Sequence, residues 1–390
     1  MAAEGGRVTF ARFMELALTH PTDGYYSRAE RLLGPRGDFT TAPRVSPAFD
    51  GAVGRLLQEL VDAALASCSG PEEDRVTLID LGGGEADLAK ALLAQWTGAR
   101  PDLRERVSYV IVEVGESLRH RQLSRLAKFK DEGWDVRWAG SPEEAMADAG
   151  AVILVGNEFI DALPVHLVDV RGPVPAEAWV RLQCAEAEAV AREEWDALSS
   201  EAESDLGELF GTTDAEVLRQ VTRDGMLELR PAAGRLLRQA ASRGGSVCVL
   251  TVDYGEWFAT AAAAVCDCRI PEPASGPLHR RSLRGYFKHQ LVTDPYVRVG
   301  RQDLTADVDF QALDHHGRRA GFETVLYTML AGLLRADGAD RQLEKLLTAA
   351  ARPTQRALRS DRQASALEQL LDQQGQGGAF KVMLQVREAR

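Results

Sequence analysis

Four short apolar runs restrict the kind of fold open to this chain: Val76–Leu81, Tyr109–Val114, Ala151–Val155 and Val247–Val252. Each is apolar on both faces, a pattern that suits strands of a parallel sheet covered by helices on both sides. Each ends at a polar or glycine-rich tip. These tips are Gly82-Gly83-Gly84, Glu113, Asn157-Glu158 and Asp253-Tyr254-Gly255. Helical spacing follows the first run at Leu88, Leu92 and Leu93, and the second at Leu118, Leu123 and Leu126. The alternation predicts an α/β fold with a mostly parallel sheet. In such sheets ligands bind outside the carboxyl ends of the strands. Two late runs, Phe322–Tyr327 and Phe380–Val386, are expected to close the sheet, the last one antiparallel.

The remaining sequence divides around this core. Residues 1–74 read as an N-terminal helical and loop region, with helices at Phe10–Leu18 and over 48–65 and a surface connection at Ser67–Asp74. Residues 75–184 hold the first part of the core, 185–241 a helical insertion, and 242–390 the remainder, with a helical tract from Leu343 to Leu371. Residues 186–208 carry nine acidic side chains against one arginine, a local charge of -8 out of -12 for the whole chain. The simplest reading is a solvated helix face. The alternative is a surface that attracts a basic substrate.

Composition excludes several function classes. With 46 basic and 58 acidic residues, sequence-independent binding to nucleic acid is not expected. No apolar run is long enough to span a bilayer, and the N-terminus lacks a basic-then-apolar signal, so no membrane association is expected. Five cysteines are too few for a disulfide framework, and the expected location is cytoplasmic. Cys266 and Cys268 are too close together for a confident metal site, and no metal is expected.

The segment Asp80-Leu81-Gly82-Gly83-Gly84-Glu85-Ala86-Asp87 lies between a strand and a helix. Its glycines let the backbone turn tightly and bring a ligand close to the main chain. Glu113, at the tip of the next strand, is placed to accept hydrogen bonds from both hydroxyls of a ribose. The pattern departs from the G-x-G-x-x-G of dinucleotide folds, which disfavours a nicotinamide-linked oxidoreductase. The acids Asp80, Glu85 and Asp87 would repel a pyrophosphate. They suit the cationic amine and sulfonium of S-adenosylmethionine. Farther on, Asn157, Glu158 and Asp161 follow the third strand. If a helix starts there, Glu158 and Asp161 share a face, where two carboxylates can hold a guanidinium; the alternative is an N-cap arrangement. His289 is a candidate base or orienting group, or an exposed loop residue.

Several colinear segments together resemble the MidA-type class I methyltransferases, whose mitochondrial members assist assembly of respiratory complex I by methylating an arginine. They are His20-Pro21-x-x-Gly24-Tyr25-Tyr26, Gly37-Asp38-Phe39-Thr40-Thr41-Ala42-Pro43, the Leu81–Leu88 turn, Asn157–Val165, Asp253-Tyr254-Gly255, and the tract from Leu283 through Phe310. The resemblance implies a Rossmann-like sheet of seven strands, mostly parallel, with an inserted helical cap. It implies S-adenosylmethionine as cofactor, with S-adenosylhomocysteine as product. Gly37, Thr40, Thr41, Pro43, Asp80, Gly82, Gly83, Gly84, Glu113 and Asn157 would hold it. Glu158, Asp161 and His289 would act on the acceptor. Asp253, Tyr254, Arg284 and Tyr286 would bind that acceptor, a protein or a small molecule. The chain has Asp80, Gly83, Glu85 and Ala86 where the family usually has Glu, Pro, a basic or small residue, and Gly; Arg44 replaces an acid. A non-catalytic assembly factor that keeps the fold is the second reading, and oligomeric state is open.

Overall fold

The computed structural model describes residues 6–27, 46–67, 75–147, 150–185, 188–243, 245–258, 277–288, 290–350 and 355–389. The chain divides into two units. One comprises Arg31–Phe159, Gln239–Tyr254 and Gly321–Arg390; the other comprises Met1–Glu30, Ile160–Arg238 and Gly255–Ala320.

The first unit is built on strands β1 (Val76–Leu81), β2 (Val107–Val112), β3 (Asp135–Ala139), β4 (Ala151–Asn157), β5 (Val247–Glu256), β6 (Glu323–Met329) and β7 (Phe380–Arg387). Their order across the sheet is β6-β7-β5-β4-β1-β2-β3. Only β7 runs antiparallel to its neighbours β5 and β6. This is the expected seven-stranded, mostly parallel sheet. The strand β3 was absent from the sequence expectation. Helix α1 (Asp87–Ala99) follows β1 and helix α2 (Glu116–Asp131) follows β2.

Every residue of β1 and β2 is buried, so both faces of these strands are covered. One core contains Leu78 and Ile111 from the strands and Val53 and Leu57 from the helix Pro47–Ser67. Leu92 and Trp96 enter it from α1, and Leu330, Leu334, Leu367 and Leu370 from the late helices. Burial of side chains like these contributes about 1.5–3 kcal/mol each before the entropy of ordering them is counted. The tract expected from Leu343 to Leu371 is two helices, Ala339–Ala350 and Gln355–Leu371. The expected connection after Ser67 lies outside the described residues.

The second unit contains an antiparallel sheet in the order Arg7–Thr9, Ala176–Ala185, His166–Asp169, Met226–Leu229, with Glu188–Asp196 also paired to Ala176–Ala185. This corrects the reading of 185–241 as helical. Helices Ser200–Phe210, Ala215–Arg219 and Pro231–Ala241 are present, but the acidic run begins in a long hairpin. Alanine and glutamate favour helix, yet cross-strand contacts prevail here. Ala178 and Val180 are fully buried, Arg181 pairs with Glu194 at 2.9 Å, and Arg7 lies 4.4 Å from the Trp179 ring centre. The acids are not a bare solvated face either. Asp196 pairs with Arg7, Glu193 with Arg281, and Glu201 with Arg235. A small sheet of Gln290–Val292, Arg284–Phe287 and Asp303–Thr305 lies in the same unit. There too, Gly255 and Glu256 at the end of β5 pair with Val308 and Asp309. Among the described residues no helix is long and apolar enough to cross a membrane.

Arg230 knits two loops of this second unit. Its guanidinium donates to the carbonyl oxygens of Ala306 (2.9 Å), Asp307 (3.3 Å), Leu163 (3.4 Å) and Asp161 (3.5 Å). The side chain is almost wholly buried. Removing it leaves acceptors that water cannot easily reach. Arg230→Met is therefore expected to destabilise the protein by roughly 1–3 kcal/mol in urea unfolding; no change would show that the four contacts are dispensable.

Candidate functional site

The register of the sheet brings the predicted tip residues to one edge. Leu81 pairs with Val112 on one side and Gly156 on the other, and Gly156 pairs with Thr251 of β5. Gly82, Glu113, Asn157 and the Val252-Asp253 pair therefore end four neighbouring strands at the same level. Three backbone hydrogen bonds extend the ladder beyond the strands. Gly82 N donates to Val112 O at 3.0 Å, Glu113 N to Ala139 O at 3.0 Å, and Glu158 N to Val252 O at 2.9 Å.

The turn after β1 uses left-handed backbone at Gly82 (φ 65°), Gly84 (φ 52°) and Ala86 (φ 60°). For the glycines this costs little; for Ala86 it costs roughly 1–2 kcal/mol. Gly83 has a different constraint, because a Cβ there would stand 2.9 Å from Ile111 Cγ2 and 3.0 Å from Asp80 Oδ2. Phe159 packs over Gly82 and Gly156: a Cβ at Gly82 would meet its ring at 3.1 Å, and one at Gly156 would meet its Cβ at 3.3 Å.

The acids of the turn do not act as expected. Glu85 pairs with Arg121 at 3.2 Å and with Arg125 at 3.6 Å, and Asp87 pairs with Arg125. Both arginines stand on α2. The charge argument that favoured a cationic ligand is corrected for these two residues, because their charge is matched locally. Asp80 is buried and accepts a hydrogen bond from the Tyr109 hydroxyl at 2.9 Å. Burial raises its pKa to about 6, and the hydrogen bond from Tyr109 pulls in the opposite direction.

Glu113 is 7% exposed. Its carboxylate accepts from Gly115 N at 2.7 Å and from Gln122 Nε2 at 3.2 Å. Burial raises its pKa to about 7, opposed by those hydrogen bonds and by Arg121. A cavity of about 440 Å³ opens beside it, lined by Glu113, Val114, Glu116, Arg119, His120 and Leu123. The walls combine apolar surface with polar groups, the makeup of a small-molecule site.

At the end of β4, Asn157 donates to Glu158 Oε1 at 3.4 Å, while its own Oδ1 is buried without a hydrogen bond. Glu158 takes φ 51°, a conformation costly for a glutamate. No helix starts here: Glu158–Val165 is irregular, which removes the shared helical face and the N-cap alternative alike. Asp253 is fully buried, its Oδ1 accepting from Tyr254 N at 2.9 Å, and the Tyr254 ring meets Phe380 edge-on.

Asp161, Arg284 and Tyr286 belong to the second unit. Arg284 donates to Asp307 at 2.7 Å and to the Tyr286 hydroxyl at 3.1 Å. Tyr26 donates to Asp303 at 3.0 Å. Burial, and then the charges of Asp303 and Asp161, hold its pKa well above the usual tyrosine range. Gly37, Thr40, Thr41, Pro43, Arg44, Cys266, Cys268 and His289 lie outside the described residues.

A family model described as "putative S-adenosyl-L-methionine-dependent methyltransferase" matches residues 57–328. The chain belongs to this family. It is similar to the mouse protein named "Protein arginine methyltransferase NDUFAF7, mitochondrial", with 27% identity over 90% of this chain and 75% of that one. A Drosophila melanogaster homologue of the same name is 26% identical over 97% of this chain and 81% of its own. Among solved structures, a protein from Burkholderia thailandensis bound to S-adenosyl-homocysteine is similar, with a TM-score of 0.72 and 26% identity. That alignment covers 100% of this chain and 90% of that one. The chain is thus an S-adenosylmethionine-dependent methyltransferase with a Rossmann-like fold. The cytoplasmic expectation is overturned, because the curated relatives are named mitochondrial.

Four residues that contact or support the candidate site have no motif of their own in the sequence to mark them: Tyr109, Gln122, Trp138 and Phe159. Gln122 had a signal. It occupies the buried stripe Leu118, Gln122, Leu126, Phe129 of α2, where an amide calls for partners.

Asp80 gives a pH test of this geometry. An acid raised on folding stabilises the native state below its unfolded pKa, and that contribution is lost as pH rises through the folded value of about 6. Asp80→Asn removes the ionisation. Its stability relative to the parent is expected to rise by on the order of 3 kcal/mol between pH 4 and pH 7. A pH-independent difference in paired urea unfolding series would contradict the assigned burial.

Proposed function

We propose that this enzyme methylates an arginine guanidinium of a protein. The relatives named as protein arginine methyltransferases support the acceptor class. The observation that carries the reading is Glu158, a carboxylate kept in left-handed backbone at the tip of β4, beside the tips of β1 and β5.

The residues present fit the cofactor. Glu113 offers a carboxylate to ribose hydroxyls, with the cavity beyond it for the base. Gly82, Gly83 and Gly84 keep side chains away from the turn, and Asp80 braces it from below. The buried Oδ1 of Asn157 lacks a hydrogen bond, as an acceptor awaiting a ligand donor would. Gly37, Thr40, Thr41 and Pro43 are assigned to the same site on resemblance. When bound, S-adenosylmethionine supplies a methyl group on a sulfonium. This chain's residues then supply alignment, worth up to roughly 7–11 kcal/mol for well-oriented reactants.

An arginine acceptor adds one requirement. Its guanidinium is always protonated and its nitrogens are weak nucleophiles. A carboxylate paired to two of the nitrogens draws the positive charge toward them and leaves the third free to attack. Glu158 takes that role, with Asp253 at the tip of neighbouring β5 in support; Asp161 is assigned there on the resemblance alone. Tyr254, Arg284, Tyr286 and His289 are assigned to the acceptor on the resemblance alone, His289 to orient it or take its proton.

Mass spectrometry of host proteins with and without the gene is expected to reveal an arginine-containing peptide heavier by about 14 daltons, one methylene, when the gene is present. A mass change confined to a metabolite would move the acceptor to the small-molecule class.

Glu158→Gln is expected to lower turnover by at least about a hundredfold, while affinity for S-adenosylhomocysteine stays within about threefold of the parent. Equal losses of both, by rate assay and isothermal titration, would remove Glu158 from the acceptor side.

A further inference from the structure

We infer that Gln122 is a positioning residue for the cofactor, locking the Glu113 carboxylate and the glycine turn at Gly84 into one preset arrangement. The inference rests on the reading of Glu113 and the turn as cofactor contacts, and goes beyond it by assigning the part that holds them.

Gln122 is fully buried on α2 and every polar atom of its side chain is engaged. Its Nε2 donates to Gly84 O at 2.8 Å and to Glu113 Oε2 at 3.2 Å. Its Oε1 accepts from Trp138 Nε1 at 2.8 Å. An indole N–H can only donate, so Trp138 fixes which end of the amide faces it. The NH2 group is left no direction except toward Gly84 and Glu113. One side chain thereby ties together the turn after β1, the tip of β2 and, through Trp138, strand β3.

The arrangement matters because a ribose carboxylate must point correctly before the ligand arrives. Glu113 Oε1 is held by Gly115 N, and Gln122 holds the other oxygen. Each oxygen, with one donor in place, keeps capacity to accept from a hydroxyl. The bond to Gly84 O ties the same amide to the turn, so turn and carboxylate cannot shift independently. Preorganisation of this kind raises affinity by removing the cost of ordering on binding.

Gln122 also biases the protonation of Glu113. Its hydrogen bond favours the carboxylate against the pull of burial. The titratable and charged groups facing Glu113 are Glu116, Arg119 and His120 around the cavity, and Arg121, which is itself shared with Glu85 on the turn. Loss of the Gln122 donor leaves those groups in place and shifts Glu113 toward its neutral form.

The test is isothermal titration of the full-length protein with S-adenosylhomocysteine from pH 5.5 to 9. The parent is expected to bind most tightly above pH 8 and to weaken as pH falls through about 7, where Glu113 takes up a proton. Gln122→Met keeps length and removes both donors. It is expected to weaken binding at pH 8 by about tenfold or more, as loss of a hydrogen bond to a charged group would. It should also move the midpoint of the pH dependence upward. Trp138→Phe keeps the ring and removes only the orienting N–H, so a smaller shift in the same direction is expected. A merely structural glutamine would lower stability without moving the midpoint. If Gln122→Met does not fold, Trp138→Phe decides. A parent that binds while the folded variants show its affinity and midpoint overturns the inference alone. A parent that fails to bind at millimolar ligand overturns the cofactor reading and this inference with it.

Discussion

The hydrogen-bond register among β2, β1, β4 and β5 is the constraint on which the rest depends. Evenly spaced bonds between parallel strands keep Val112, Leu81, Gly156 and Thr251 level. Gly82, Glu113, Asn157, Glu158 and Asp253 then lie one or two positions beyond that row. A slip of one residue would reverse the face of each side chain in the strand. These strands are apolar on both faces, so burial alone does not forbid the slip. The bonds beyond the strand ends, from Gly82, Glu113 and Glu158, add the missing specificity.

A second theme is the handling of buried acids. Asp80, Glu113 and Asp253 all lie deep at the strand ends, where an isolated charge is costly. Each receives hydrogen bonds: Asp80 from a tyrosine, Glu113 from a backbone amide and a glutamine, and Asp253 from the next backbone amide. The donors to Asp80 and Glu113 are neutral, which leaves these two raised carboxyls responsive near neutral pH. Glu85 and Asp87, closer to solvent, are matched by arginines instead.

Much of the sheet unit was legible because a buried parallel strand writes a simple pattern, a short apolar run and a polar tip. The strand β3 was missed because Asp135, Arg137 and its partly exposed Trp138 break that pattern at the sheet's edge. The strand Glu188–Asp196 reads as helix because its residues favour helix one by one, whereas the structure pairs it in register with Ala176–Ala185. At the site, Gly82, Glu113 and Glu158 could be named from their place after strands. Their conformations could not, since the left-handed backbone at Ala86 and Glu158 is imposed by surrounding structure. Gln122 was overlooked because a glutamine on a helix usually faces water; only its place between Leu118 and Leu126 marked it.

The pairing of Glu85 with Arg121 and Arg125 bears on how the enzyme treats spent cofactor. A turn whose outward acids are already balanced has little electrostatic reason to prefer a sulfonium over a neutral thioether. As far as Glu85 and Asp87 are concerned, local charge does not separate the donor from its demethylated product.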